Sequence, residues 1–247
     1  MNYLVGDIGN THTKFCILDK NLIIKKVYNL ETKKILKNDL KFFLNKVLKL
    51  NICKNILFSS VVPKAYRQIK SQLKRNNFQV FEIKDLNIKK ILKIRVKNYK
   101  QLGSDRISNA IGSLKYRNSI IIDFGTATTF DIVKKGSYVG GVISPGINLS
   151  ILNLHKATAL LPKLILKKKQ RSYGKNTQEA LNAGFLWGYE GLINNIIKKI
   201  VKNSKNKYKI ILTGGHAVLF KKFINKNTVI DQNITIKGIA TAFREIL

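Results

Sequence analysis

Asp7-Ile-Gly-Asn-Thr-His-Thr-Lys14 and Asp123-Phe-Gly-Thr-Ala-Thr-Thr-Phe-Asp131 are two versions of one pattern within a chain of 247 residues. Each follows a short apolar run, Tyr3-Leu-Val5 or Ile120-Ile-Ile122, and each leads into β-rich sequence, Phe15-Cys-Ile-Leu18 or Phe130-Asp-Ile-Val133. Strand, Asp-x-Gly turn with small hydroxyl residues, strand: the unit occurs twice. Its chemistry suits phosphate. Gly lets backbone amides approach an anion closely, Thr hydroxyls and amides donate hydrogen bonds, and the strand-end Asp can hold a metal or its waters. One copy alone fits an ordinary tight turn. Two copies with matching flanks point to hairpins that close on one triphosphate from opposite sides.

The sequence around each hairpin repeats as well. The first part predicts strands at Tyr3–Ile8, Thr13–Leu18 and Ile23–Leu30, then a helix over Lys33–Leu48, where Ile35, Leu36, Leu40, Phe43, Leu44, Val47 and Leu48 recur at helical spacing. A strand at Asn55–Ser60, a helix opening at Pro63 and a strand at Phe78–Ile83 follow, then a basic connector from Lys84 to Gln101. The second part predicts a helix from Asp105 to Tyr116 and strands at Ser119–Asp123, Thr128–Lys134 and Ser137–Ile143. Helices over Leu149–Leu160 and Thr177–Val201, a basic loop or strand at Lys163–Arg171, a buried strand at Lys209–Leu212 and helices after Gly214-Gly215 and over Asn233–Leu247 complete it. Three strands followed by alternating helices and strands, twice over, describe an α/β fold of duplicated ribonuclease-H-like domains with mixed sheets. The division falls at 1–102 and 103–247, and the cleft between the copies is the expected ligand site.

Composition narrows the function classes. A hydrophobic fraction of 45% supports a packed core. No apolar run reaches the ~18 residues that span a membrane, and the start of the chain has no basic and apolar leader pattern, so neither a membrane anchor nor a signal peptide is expected. Cys16 and Cys53 have no CxxC spacing and read as reduced thiols of a cytoplasmic protein. The formal charge of +33 would by itself suggest nucleic acid. However, only seven of the 46 basic residues are Arg, and Lys is scattered evenly, unlike the Arg and aromatic concentration of a nucleic-acid reader. Nucleic-acid binding is therefore not expected as the primary function. Against that basic background acids are informative: four of the eight Asp (Asp7, Asp105, Asp123, Asp131) lie in Gly-containing motifs.

Other signatures are absent or ambiguous. No GxGxxG follows a strand, and no His/Cys cluster has zinc spacing. Gly174-Lys-Asn-Thr177 looks like the end of a P-loop, yet position 169 is Lys where that motif needs Gly. Lys14 lies on the returning strand, where its ammonium can reach a phosphate, and His12 reads as a turn residue. Gly103-Ser-Asp-Arg106 marks a helix start with free amides and a positive dipole end. Asp105 there is either a plain N-terminal helix residue or a general base beside an anion-steadying guanidinium. Gly214-Gly215 is either a tight turn or a place where a flat adenine approaches closely.

In order and spacing, Asp7-Ile-Gly-Asn-Thr11, Gly103-Ser-Asp-Arg106, Asp123-Phe-Gly-Thr-Ala-Thr-Thr129, Gly140-Gly-Val-Ile-Ser-Pro-Gly146, Leu161-Pro162, Gly174-Lys-Asn-Thr177 and Thr213-Gly-Gly215 resemble type III pantothenate kinase. That family belongs to the acetate kinase/sugar kinase/Hsp70/actin group, with an actin-like ATPase fold, and the resemblance runs over essentially the whole chain. It implies ATP-dependent phosphorylation of pantothenate to 4'-phosphopantothenate, the first step of coenzyme A biosynthesis, in a cytoplasmic homodimer. It further implies that Asp7, Ile8, Gly9, Asn10, Thr11, His12, Thr13 and Lys14 bind ATP phosphates together with Thr126, with Asp7 near Mg²⁺. Asp123 would ligate a monovalent cation, K⁺ or NH₄⁺. Gly103, Ser104, Asp105 and Arg106 would hold pantothenate, Asp105 as the base, and Thr177 would contact substrate at or across the dimer interface.

One departure stands out. The family's aromatic Tyr seven residues before Gly103 is Val96 here, and its Asn-Pro is Asn98-Tyr99. Either Tyr99 supplies the ring from a shifted backbone or the pocket wall differs. The chemistry implied is in-line phosphoryl transfer driven by positioning and charge neutralisation. The competing readings are another small-molecule kinase of the same superfamily, and a non-catalytic nucleotide- or nucleic-acid-binding regulator on the same fold.

Overall fold

The structure is a computed structural model that describes residues 1–247 except 37–39, 41–43, 46, 48, 49, 170, 171, 203, 205, 225 and 226. Two compact units divide it: Met1–Arg117 with Val133–Val139 and Asn233–Leu247, and Asn118–Ile132 with Gly140–Gln232.

In the first unit, β1 (Asn2–Ile8), β2 (His12–Leu18), β3 (Ile24–Glu31), β4 (Ile52–Ser60) and β5 (Gln79–Glu82) form one sheet in the order β3-β2-β1-β4-β5. β1 and β2 are antiparallel, with Asp7 opposite Lys14, whereas β1, β4 and β5 run parallel. The parallel strands are covered on both faces, so they read as continuous apolar runs such as Ile56-Leu57-Phe58, fully buried. Outer strand β3 lies largely open instead: Lys25, Lys26, Val27, Asn29 and Glu31 are exposed, and Tyr28 and Leu30 pack against the core. Helix α1 (Thr32–Leu36) and α2 (Pro63–Lys74) cover the core, α2 with Pro at its first turn and Ala65, Ile69 and Leu73 pointing inward at four-residue spacing. Phe15 and Phe58 meet edge to face at 5.8 Å between them. Of the helix expected over 33–48, residues 32–36, 40, 44, 45 and 47 are helical; Phe43 and Leu48 lie outside the described residues.

The second sheet has the order β11-β10-β7-β8-β9-β6, from β6 (Lys93–Ile94), β7 (Ser119–Phe124), β8 (Ala127–Lys134), β9 (Ser137–Pro145), β10 (Lys209–Gly214) and β11 (Thr228–Ile230). From β9 to β11 it matches the first sheet strand for strand, with β10 parallel to both β7 and β11. The duplication expected from the two hairpins is thus present in topology. β6 adds a strand inside the basic connector, where Lys93 and Ile94 pair with Ser137 and Tyr138. The remaining helices are α3 (Ser104–Gly112), α4 (Ile147–Lys156), α5 (Thr177–Val201), α6 (Ala217–Phe220) and α7 (Ile234–Ile246).

Two boundaries differ from the sequence reading, each for a local reason. The α-helical part of α3 ends at Gly112, where the Ser113 hydroxyl donates back to the Ala110 carbonyl, and a 3-10 turn (Leu114–Tyr116) carries it on to Tyr116 before Arg117 turns left-handed at φ 54°. α4 stops at Lys156, four residues short of Leu160, where His155 Nδ1 bonds the Leu161 carbonyl at 2.7 Å. Of the two readings given for 163–171, loop or strand, the described part is a loop, whose Lys167 amide donates to Asn182 Oδ1 on α5 at 2.7 Å. No described helix is long and apolar enough to cross a membrane.

Candidate active site

The carboxyl ends of parallel strands are where loops can gather around a ligand. In the first unit that edge carries the β1–β2 hairpin, Ser59 and Ser60 at the end of β4, and Glu82 at the end of β5. The hairpin is closed by the Gly9 amide donating to the His12 carbonyl at 3.0 Å, which leaves Asn10, Thr11 and His12 exposed at the tip. It is braced from beneath by Thr32, a buried residue at the start of α1. The Thr32 hydroxyl donates to the Gly9 carbonyl at 2.6 Å and lies 3.0 Å from the Thr13 hydroxyl, and its amide donates to the Thr11 carbonyl. Ile8 and Thr13 are fully buried, while Asp7 and Lys14 are half-buried. Behind them, burial pushes the Cys16 thiol up to about 12, so it stays protonated and inert.

Gly103 through Arg106 form the start of α3, with Gly103 as its N-cap residue. Asp105 Oδ1 folds back over Gly103, filling the space a Cβ would take there, and accepts from the Arg106 amide at 2.8 Å. Burial raises the Asp105 carboxyl above the ordinary aspartate range; the Arg106 amide and guanidinium, and the Lys84 ammonium, pull the other way. The helix is rigidly backed. α7 crosses it so closely that a Cβ on Gly238 would strike the Ser108 carbonyl and one on Gly112 the Ile234 carbonyl, and Thr235 donates to Asn109 Oδ1 at 2.7 Å. Tyr99 stands on a short 3-10 turn (Tyr99–Gln101) begun by Asn98, whose Oδ1 accepts from the Lys100 amide. Burial, then the negative charges of Glu82 and Asp85, raise its phenol pKa.

In the second unit the corresponding edge carries Asp123, opposite Thr213, with exposed Gly125 and Thr126 at the hairpin tip. Main-chain groups brace this hairpin: the Gly146 amide donates to the Thr126 carbonyl at 3.1 Å, and the Gly215 amide to the Phe124 carbonyl at 3.2 Å. Gly214 sits at φ 83°, and a Cβ there would lie 2.6 Å from Asp123 Oδ1, so glycine is required. His216 Nε2 meets Asn148 Oδ1 at 3.0 Å, and burial lowers the imidazole pKa. Thr177 is exposed at the first turn of α5, behind a reciprocal cap in which Asn176 Oδ1 accepts from the Glu179 amide and Glu179 Oε2 from the Lys175 amide.

The structure thus places Asp7–Lys14 and Gly103–Arg106 in one unit, and Asp123, Thr126 and Thr177 in the other. Among the described residues no group of three or more His, Cys, Asp or Glu can hold a metal ion. Asp7 and Asp123 are single carboxylates. That donor set fits a cation shared with substrate phosphates, water or backbone carbonyls, not an all-protein cage. Two supporting residues were not singled out from sequence, Thr32 and Glu82. The scarcity of acids was a usable signal for Glu82, one of only five Glu; nothing in the sequence marks Thr32 among its neighbours.

Duplicated ribonuclease-H-like sheets, each with an Asp-x-Gly hairpin on the carboxyl edge, define the actin-like, sugar-kinase class of fold. A structure of the activator of 2-hydroxyisocaproyl-CoA dehydratase from Clostridium difficile, with bound ADPNP, matches with a TM-score of 0.56 at 12% identity, over 99% of this chain and 95% of that one. At that identity the likeness is one of fold. The type III pantothenate kinase family model matches residues 3–199. The chain is 49% identical to the type III pantothenate kinase of Pelagibacter ubique over 97% of both chains, and 38% identical to that of Sulfurihydrogenibium sp. over 96% and 97%. The chain belongs to the type III pantothenate kinase family.

Proposed function

We propose that this kinase, which phosphorylates pantothenate with ATP for coenzyme A biosynthesis, uses Asp105 as its general base. The observation that carries the assignment is the Asp105 carboxyl itself, held over Gly103 at the start of a rigidly backed helix, with Arg106 beside it. The acceptor hydroxyl oxygen forms a bond to the γ-phosphorus as the bond from that phosphorus to the β-phosphate bridging oxygen breaks. The acceptor proton passes to Asp105, and ADP leaves with the bridging oxygen's electron pair. Because metaphosphate character develops first, proton transfer is late, and a carboxylate suffices as base. Gly103, Ser104, Arg106 and Thr177 hold pantothenate, Arg106 by charge-assisted hydrogen bonds to its carboxylate.

The Asp7–Lys14 hairpin binds the ATP phosphates. Exposed amides and hydroxyls of Asn10, Thr11 and His12 donate, Lys14 adds charge, and buried Ile8 and Thr13 keep the hairpin in shape. Thr126 provides a further ATP contact. Asp7, together with the phosphates, would hold Mg²⁺, which would supply charge neutralisation for the transferring group. Asp123 would hold K⁺ or NH₄⁺. Both cysteines are free, which supports action in the cytoplasm.

We further propose a homodimer. α5 and α4 border an apolar groove of about 510 Å³ that includes Leu154, Leu161, Leu181, Phe185 and Leu192. Beside it Gly184, Gly188 and Gly191 repeat along α5 with open space where Cβ atoms would be, and Trp187 is 43% exposed. A second copy is the occupant that fits Thr177 at an interface edge. ADP release measured with pantothenate, hexoses and acetate, with and without K⁺, tests the whole reading. Turnover with pantothenate alone, stimulated by K⁺, is expected; equal activity in Na⁺ would remove Asp123 from its role.

A further inference from the structure

Three loops of the second unit close on one another at the carboxyl edge of its sheet. The Gly146 amide, just before α4, donates to the Thr126 carbonyl of the β7–β8 hairpin at 3.1 Å. The Gly215 amide, just after β10, donates to the Phe124 carbonyl of the same hairpin at 3.2 Å. Two side chains complete the circuit: His216 Nε2 and Asn148 Oδ1, 3.0 Å apart, join the β10–α6 loop to the start of α4. Gln232 Nε2 ties the same loop down by donating to the Gly214 carbonyl at 3.1 Å. Gly125, Thr126, Asn148 and Gly215 are exposed around this circuit, and His216 is half-buried.

The bond to Asn148 fixes which imidazole nitrogen is left over. An amide Oδ1 only accepts, so Nε2 carries the proton, and a neutral ring then has Nδ1 as a bare acceptor. Burial lowers the His216 pKa from an ordinary value of 6.5, so the ring is neutral at physiological pH. Among the described residues Asn148 is the ring's only hydrogen-bond partner, and Nδ1 is not one of the enclosed atoms that lack a partner. It is therefore open to a ligand. Beside it, Gly215 has open space where a Cβ would be, so a flat ring can lie against the backbone.

A bare acceptor limits what it can face. Phosphate oxygens are acceptors too, so Nδ1 does not suit the triphosphate. The donors of ATP are in its nucleoside half, the 6-amino group of adenine and the ribose hydroxyls. Of these, the amino group lies in the plane of a flat ring, the shape that the open backbone at Gly215 admits. We propose that His216 is a specificity-determining residue for the phosphoryl donor: Nδ1, held in this tautomer by Asn148, accepts from the 6-amino group of adenine and disfavours a base with a carbonyl there. This rests on the reading that Thr126, on the hairpin these loops hold, contacts ATP.

The test is kcat/KM at saturating pantothenate for ATP, inosine triphosphate (a carbonyl in place of the amino group), 2'-deoxy-ATP and 3'-deoxy-ATP. One such hydrogen bond is worth roughly 3- to 10-fold and an opposed acceptor adds to it, so the wild type should favour ATP over inosine triphosphate by about 10-fold or more. His216→Phe keeps a ring and removes the acceptor, and the His216 carbonyl that receives the Phe220 amide is untouched. It should lower the ATP value by roughly 3- to 10-fold and leave inosine triphosphate within about twofold. Asn148→Ala lets the ring turn and should lose part of the preference; it carries the same test should His216→Phe fail to fold. Thr126→Val should raise the KM for both nucleotides alike. If it raises neither, the ATP reading of this hairpin fails, and the inference with it. If it raises both, an ATP preference unmoved in His216→Phe, or equal losses with the two nucleotides, would overturn the inference alone. So would a penalty for either deoxy-ATP that disappears in His216→Phe, because the acceptor would then serve the ribose.

Discussion

The hairpins at Asp7 and Asp123 share a sequence pattern and differ in what holds them. The first is braced by a side chain: the Thr32 hydroxyl on the Gly9 carbonyl and beside the Thr13 hydroxyl. The second is braced by main chain, through the Gly146 and Gly215 amides. The two carboxylates differ in the same way. Asp7 faces Lys14 across its strand pair, whereas Asp123 faces Thr213 and the backbone of Gly214. A carboxylate beside an ammonium, on a hairpin with exposed amides, suits the dense charge of a metal–triphosphate. A carboxylate walled by backbone suits a larger, weakly hydrated cation. On the proposed reading the two copies of one unit would serve two kinds of ion, and the difference would lie in the contacts around each carboxylate.

The largest effect should fall on neither hairpin. Asp105→Asn is expected to lower kcat by ~10²–10⁴ with ATP binding largely intact. Loss of ATP binding in that variant, by isothermal titration, would place Asp105 in the nucleotide site and collapse the distinction. The raised Asp105 pKa sets a pH test. A base must be ionised, so kcat/KM should fall as pH drops through a limb above 3.8, the ordinary aspartate value. Stability should move the opposite way. A carboxyl whose folded pKa is raised favours the folded state when protonated and disfavours it as pH rises through the folded value. Asp105→Asn should therefore melt no lower than wild type at neutral pH, and a clear drop in Tm would contradict the burial cost inferred here.

Next in size, and a direct contest between the hairpins, are Asp7→Asn and Asp123→Asn. Losing even an outer partner of a metal ligand typically costs about 10- to 100-fold in affinity, and losing the ligating carboxylate itself should cost at least that much. Asp7→Asn should raise the Mg²⁺ requirement and leave the K⁺ response in place. Asp123→Asn should flatten the K⁺ response and leave the Mg²⁺ titration unchanged. Identical shifts from both would mean that the hairpins hold one shared ion.

How legible these parts were follows from the same contrast. Strand runs such as Ile120-Ile-Ile122, the Asp-x-Gly turns and the Gly-Ser-Asp-Arg helix start are local signals, and local signals fix elements and hairpins. The sheet order repeats as the doubled pattern predicts. Thr32 escaped notice because its value is set by a contact 23 residues away, with Gly9, and a Thr opening a helix is unremarkable by itself. β6 escaped because two residues in a Lys-rich connector carry no periodicity; their pairing with Ser137 and Tyr138 is purely tertiary. Glu82 was visible as a rare acid, yet its burial and its reach to the Ser60 amide exist only once β4 and β5 are assembled.

The smallest effects probe the braces themselves. Gly146→Ala puts a methyl group against the Gly125 and Thr126 carbonyls, and backbone on both sides cannot yield as a side chain would. A loss of about 1–3 kcal/mol is expected, read as a lower Tm, with the K⁺ response weakened. Thr32→Val keeps the volume and removes the hydroxyl. It leaves the Gly9 carbonyl and the Thr13 hydroxyl without this partner, at a cost of about 1–3 kcal/mol for each buried group left unsatisfied, less if water enters. Because the Thr32 amide bond to the Thr11 carbonyl survives, the hairpin should stay folded but loosen at Gly9. The KM for ATP should then rise while K⁺ activation is unchanged, the reverse of Gly146→Ala. If Thr32→Val lowers Tm without touching the KM for ATP, the brace is structural only, and the first hairpin's shape owes nothing to its hydroxyl support.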